Sequence, residues 1–165
     1  NPIVRSFDSL DDEFTYVLEQ VEGLAAQGTP LRNICIVART NRLLDEYVRR
    51  LLSAGIRTYE IKRSKTDDRS FEGVRLATMH RVKGLEFDHV FIVAVNKDIV
   101  PHRSAVAYQD EVAVTEAMTA ERCLLYVALT RAKQTACVTS HGPMSEFVSE
   151  VGTLPVGSLE RKKAW

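Results

Sequence analysis

Short apolar, β-branched runs alternate along this chain with stretches whose apolar residues recur at helical spacing. Ile3 to Phe7 reads as a strand. Ser9 then caps a helix in which Phe14, Val17, Leu18, Val21 and Leu24 recur on one face, and Gly28-Thr29-Pro30 ends it. Asp11, Asp12 and Glu13 fall in its first turn, where carboxylates complement the helix dipole. Ile34 to Ala38 is a continuous apolar run, as expected of a strand covered on both faces. After Arg39, Thr40 or Asn41 caps an amphipathic helix carrying Leu43, Leu44, Tyr47, Val48, Leu51 and Leu52 and closed by Gly55.

Ile56 to Ile61 is the next predicted strand, Lys62 to Glu72 a polar loop, and Val74 to Thr78 another strand. His89 to Val95 is the most apolar strand, reached through a connection that has room for at most a short helix. A loop over 96–109 leads to a short helix over 110–118. Thr119 is read as the cap of a stronger helix to Ala132. Gln134 to Ser140 is the last predicted strand and Pro143 to Val151 the last helix. Residues 152–165, with Arg161-Lys162-Lys163, read as a tail or linker to a domain spanning 1–151. Alternation of this kind predicts an α/β domain with a mainly parallel sheet. Ligands of such sheets gather outside the carboxyl ends of the strands, where Arg39, Thr78 and His80 fall.

The 165 residues suffice for one domain, and 45% hydrophobic with 27% charged residues is an ordinary globular composition. Net charge is zero, so a nucleic-acid surface has to come from local clustering. No apolar stretch approaches the roughly 18 residues of a membrane span. Cys35, Cys123 and Cys137 lie in apolar runs without metal-ligand spacing and read as reduced thiols. The start, Asn-Pro-Ile-Val-Arg, reads as part of a longer, cytoplasmic protein. No phosphate loop of the G-x-x-x-x-G-K-[ST] type occurs, and no catalytic Ser-His-Asp or Cys-His pattern stands out. The chain is therefore not expected to be a self-sufficient enzyme.

Two segments carry unusual chemistry. In the first, the strand Val74–Thr78 ends in Met79-His80-Arg81-Val82-Lys83-Gly84 and re-enters apolar sequence through Leu85-Glu86-Phe87. Thr78 and His80 can hydrogen-bond a nucleic-acid backbone, or satisfy local groups. Glu86 can accept from a ribose hydroxyl, or pair with Arg81 or Lys83. In the second, Arg131 extends the apolar stripe of Leu124, Val127 and Ala128. It is either a cation at the helix dipole's negative end, with an internal carboxylate, or a fork aimed at a phosphate. Arg39, at a strand's end, is either a surface charge, the reading that its position alone favours, or a second such fork, and two arginines on one sheet edge would reinforce a phosphate site.

Thr78-Met79-His80-Arg81-Val82-Lys83-Gly84-Leu85-Glu86-Phe87 resembles the T-x-H-x-x-K-G-L-E-F signature of the UvrD/Rep/PcrA group of superfamily 1 DNA helicases. Leu124-Leu125-Tyr126-Val127-Ala128-Leu129-Thr130-Arg131-Ala132 resembles their last motif, and Ile36-Val37-Ala38-Arg39-Thr40-Asn41 an earlier one with an R-T-N core. The resemblance covers residues 1–150 in family order. It implies the second RecA-like motor domain, a three-layer α/β fold. By that resemblance Arg39 and Arg131 are arginine fingers to ATP. Gly84 and Glu86 join them at the nucleotide, and Thr78 and His80 meet single-stranded DNA, the partner being single-stranded or duplex DNA. No metal is expected on this chain: ATP and Mg2+ would be held by an N-terminal ATPase domain of the same parent. The implied activity is ATP-dependent DNA translocation by the intact protein, with the 165-residue chain inactive alone.

The chain departs from the family pattern at Ala38, where an aromatic is common, at Val82, and at Ala120 and Cys123 in the last motif. The large accessory subdomain that many members insert before the T-x-H motif is replaced by Lys62 to Gly73. The competing expectation is a RecA-like module without motor function that docks protein or DNA.

Overall fold

The computed structural model describes residues 1–64 and 66–151. The predicted tail over 152–165 lies outside the described residues. Six strands form one all-parallel sheet: β1 (Ile3–Phe7), β2 (Ile34–Ala38), β3 (Thr58–Glu60), β4 (Val74–Thr78), β5 (Phe87–Ile92) and β6 (Ala132–His141), in the order β1-β6-β5-β2-β4-β3. Helices α1 (Leu10–Ala26), α2 (Asn41–Ser53), α3 (Glu111–Leu129) and α4 (Glu146–Val151) connect or follow them.

Both faces of the sheet are covered, which explains why β2 and β4 are buried at every position. The strand pleat sends alternate residues to opposite sides. Ile34, Ile36 and Ala38 pack with Phe14, Val17 and Val21 of α1 and with Leu44, Tyr47 and Leu51 of α2. Cys35 and Val37 point the other way and pack with Leu125, Ala128 and Leu129 of α3, Phe147 of α4, and Met79 and Val82. Each large apolar side chain fully buried this way contributes about 1.5–3 kcal/mol. The result is the three-layer RecA-like architecture.

Capping residues set the helix starts. Ser9 Oγ accepts from the Asp12 N–H at 3.1 Å and Thr40 Oγ1 from the Leu43 N–H at 3.4 Å. Two expectations change. The short helix over 110–118 and the helix starting at Thr119 are one continuous element, α3, capped by Asp110. Thr119 lies inside it, and its hydroxyl donates to the Thr115 carbonyl at 3.0 Å, as a mid-helix threonine can. Glu13 keeps its expected place in the first turn of α1 and is in addition fully buried. It accepts from the Ala94 N–H at 2.8 Å and from the Thr139 hydroxyl at 2.5 Å, and meets His141 Nδ1 at 2.6 Å. This carboxylate ties α1 to the carboxyl ends of β5 and β6.

The Lys62–Gly73 connection is closed by Arg75, whose side chain is fully buried beneath it. Its guanidinium donates to Asp67 Oδ1 at 3.0 Å and to the carbonyls of Asp68, Phe71 and Gly73 at 2.6–2.8 Å, and lies over the Tyr59 ring.

Candidate functional site: two ends of one helix

The candidate residues divide between two ends of the sheet. At the carboxyl end, Ala38 and Thr78 are register neighbours, and the Met79 N–H donates to the Ala38 carbonyl at 3.0 Å. Arg39, Thr78 and His80 therefore emerge side by side. The Arg39 guanidinium grips Glu121 of α3 through two parallel hydrogen bonds, Nε to Oε2 at 3.0 Å and Nη2 to Oε1 at 2.7 Å. Glu121 Oε2 also accepts from the His102 N–H at 3.0 Å. The ion pair is shielded from water, with side-chain exposures of 13% and 4%. Burial pushes the Glu121 carboxyl up, but the hydrogen bonds from Arg39 and His102 and the Arg39 charge outweigh it and hold the carboxyl below its usual range. His80 is exposed, and its pKa is lowered, first by partial desolvation and next by the Arg39 charge.

From Thr78 the chain turns back across the α3 face of the sheet. The Thr78 carbonyl accepts from the Arg81 and Val82 N–H groups, and the Leu85 N–H donates to Val82. Gly84 takes φ +83°, a left-handed conformation that favours glycine, so the chain can swing into β5 there. The segment arrives at the amino end of the sheet, where the Phe87 N–H donates to the Arg131 carbonyl at 3.0 Å.

Arg131 follows the C-cap of α3 and precedes β6. Its guanidinium donates to the carbonyls of Val127 at 3.1 Å and Leu85 at 3.4 Å and to the Thr130 hydroxyl at 3.1 Å. Among the described residues no carboxylate pairs with it. Glu86 is exposed next to Leu85, 4.0 Å from the Lys133 ammonium. Gly84, Glu86 and Arg131 thus come together.

Arg39 does not join them. Because α3 runs antiparallel to the strands, Glu121 in its middle lies toward the carboxyl edge, and Arg131 lies ten residues further on, past its C-cap. At 1.5 Å per residue, that is a separation of about 15 Å along the helix. The expectation that both arginines line one sheet edge is corrected: an arginine preceding a parallel strand lies opposite one that follows a strand. The Arg39 charge is matched by Glu121 in this arrangement.

Glu121 escaped the sequence reading although its signal was present. It shares α3's buried stripe with Leu125 and Ala128, the same kind of placement that singled out Arg131.

The UvrD-like helicase C-terminal domain family matches residues 56–142, and this chain belongs to that family. PcrA of Staphylococcus epidermidis, named an ATP-dependent DNA helicase, is 41% identical over 68 residues, covering 41% of this chain and 9% of that protein. YjcD of Bacillus subtilis, likewise named for the ATP-dependent DNA helicases, is 36% identical over 107 residues, covering 63% of this chain and 13% of YjcD. The aligned part is thus about a tenth of these relatives' length. The C-terminal domain of a possible DNA helicase from Lactobacillus plantarum superimposes with a TM-score of 0.67 at 21% identity, covering 91% of this chain and 80% of that one, which establishes the shared fold.

Proposed function

We propose that this domain is the second motor unit of an ATP-dependent DNA helicase, closing on a nucleotide held mainly by a partner motor domain. The observation that supports this reading best is Arg131: a partly buried guanidinium whose acceptors among the described residues are all neutral, beside an exposed carboxylate, at one end of a segment whose other end presents Thr78 and His80.

These residues fit half of a nucleotide site. Arg131 supplies a permanent cation whose remaining N–H groups suit phosphate oxygens. Glu86 offers an acceptor to a ribose hydroxyl. Magnesium is assigned to the partner motor domain; the described residues include no group of three His, Cys, Asp or Glu side chains that could hold a metal ion. ATP supplies the phosphoryl group, and water attack on it builds negative charge that an arginine from the facing domain stabilises. Arg131 is assigned that role. Thr78 and His80 are assigned to the strand path, with His80 favoured neutral and free to act as a hydrogen-bond donor or acceptor.

The test uses the full-length protein with both motor domains. Arg131→Ala is expected to slow DNA-stimulated ATP hydrolysis by roughly three to five orders of magnitude. His80→Ala should weaken single-strand binding while basal hydrolysis persists. Normal turnover by the Arg131 variant would overturn the finger assignment. If the wild-type protein neither hydrolyses ATP nor moves on DNA, the domain is a docking module instead.

A further inference from the structure

Resting on the assignment of Thr78 and His80 to the strand path, we propose that Lys62, Arg63 and Arg81 form a phosphate-binding ledge. It carries the backbone of a single nucleic-acid strand off the sheet across its β3 edge.

A chain of zero net charge holds nucleic acid only where its cations gather. They gather at the carboxyl ends of β3 and β4. β3 is an edge strand and runs parallel to β4, with Thr58 level with Val74 and Glu60 with Leu76. The Ile61 N–H extends this ladder by donating to the Leu76 carbonyl at 2.8 Å. In the same register, Lys62 and Arg63 leave the sheet level with Thr78 and Met79. Arg81 lies in the turn that follows β4, its N–H donating to the Thr78 carbonyl at 3.0 Å. All three cations are exposed, as is His80. The Arg81 charge also helps to lower the His80 pKa, after partial desolvation and the Arg39 charge.

Most carboxylates of the neighbouring connection are engaged elsewhere. Asp67 pairs with the buried Arg75, and Glu72 with Arg32 and the Leu31 N–H. Asp68 accepts from the Ser70 N–H and hydroxyl. Glu60 lies 4.0 Å from the Lys62 ammonium, a solvent-exposed contact that holds the side chain only weakly. Arg32, Arg39, Arg49, Arg50, Arg69 and Arg75 each pair with a carboxylate. Arg63 and Arg81 have no carboxylate partner among the described residues. Two unpaired guanidinium forks and an ammonium, side by side with Thr78 and His80, suit successive phosphates of one strand. Such contacts position a strand without reading its sequence.

The test uses the full-length two-motor protein and a labelled oligo-dT strand. Each phosphate contact on a single strand adds about 0.7 to the slope of log affinity against log salt, or about fivefold in affinity between about 1 M and 0.1 M. Lys62→Gln combined with Arg63→Gln should therefore lower the slope by about 1.4 and weaken binding roughly 25-fold in about 0.1 M salt. Arg81→Gln should add about another fivefold. The loss should be the same on a mixed-sequence strand of equal length. Arg63→Lys keeps the charge and should retain most of the affinity. Arg57→Gln removes a like charge from the amino end of β3, five residues or about 16 Å from Lys62. That exceeds the screening length of about 10 Å at 0.1 M salt, so affinity should stay within about twofold.

An unchanged salt slope in the Lys62→Gln, Arg63→Gln protein overturns the proposal. So does an equal loss in Arg57→Gln, which would make the effect one of net charge alone. A loss confined to blunt duplex DNA also overturns it, by assigning the cations to a double strand. Failure of the underlying reading looks different: His80→Ala then leaves oligo-dT affinity unchanged, whereas failure of the ledge alone leaves the His80→Ala defect in place.

Discussion

Two arginines of similar sequence context have opposite electrostatic circumstances. Arg39 has a buried carboxylate matched to its fork, whereas Arg131 is held by carbonyl and hydroxyl oxygens. The first difference should appear in stability. Removing Arg39 leaves Glu121 buried without its cation, so Arg39→Ala should cost about 3–5 kcal/mol, measured by denaturant unfolding. Linkage gives a second check. The folded-state pKa of Glu121 lies below its ordinary value of 4.5, so its stabilising contribution is present above pH 4.5 and is lost as pH falls through the lower folded value. Wild-type melting temperature should therefore drop more steeply in acid than that of Glu121→Gln. Parallel curves would show that the carboxylate does not gain from its partners. That Arg131 is not on the solvated face was legible in the sequence because it extends an apolar stripe, whereas Arg39, read first as a strand-end surface charge, is shielded. Their partners were not legible, since Glu121 lies 82 residues from Arg39 and only the packing of α3 joins them.

At the scale of elements, β1, β2 and β4 and the cap Ser9 were legible, and the cap of α2 was narrowed to Thr40 or Asn41, because strand periodicity and capping are local. The join at Thr119 was not. Threonine is common at helix starts, and its ability to bond back to the carbonyl four residues earlier cannot be distinguished from capping by residue type alone. The two possibilities predict different energies. As a cap, Thr119→Ala would cost about 1 kcal/mol; inside a helix, it should be neutral or stabilising by a few tenths. Asp110→Ala should instead carry the cost of about 1 kcal/mol, because its carboxylate accepts the Val112 N–H at 3.2 Å. Thermal unfolding of the two variants decides between them. The burial of Glu13 was hidden for a related reason. Its place in the first turn suited the dipole, but its burial depends on the ends of β5 and β6 more than 80 residues away.

For the whole molecule, the three-layer fold followed from the alternation of strands and helices, and the family from motif order. The division of the candidate site between opposite ends followed from neither. It depends on whether each residue precedes or follows its parallel strand, and on the 79–86 segment crossing the sheet face. On the proposed reading Arg131 and Glu86 form half of a nucleotide site, whose phosphate cradle and magnesium ligands belong to the partner motor domain. The purified 165-residue chain is therefore expected to show no ATP turnover above background, with or without single-stranded DNA. Turnover that disappears in Arg131→Ala would show that the chain carries a complete site.

Arg75 has a consequence for how this fold can be extended. Its buried guanidinium fastens the returning half of the Lys62–Gly73 connection from Asp67 onward, while Lys62, Arg63 and Ser64 remain exposed before it. The core is thus sealed on the strand side of that connection, which makes it a port: foreign sequence spliced in after Arg63 should leave the sheet intact. A compact reporter domain inserted there should barely change the unfolding midpoint, whereas the same insertion after Ser70 would disrupt the carbonyl cage around Arg75 and should lower it sharply.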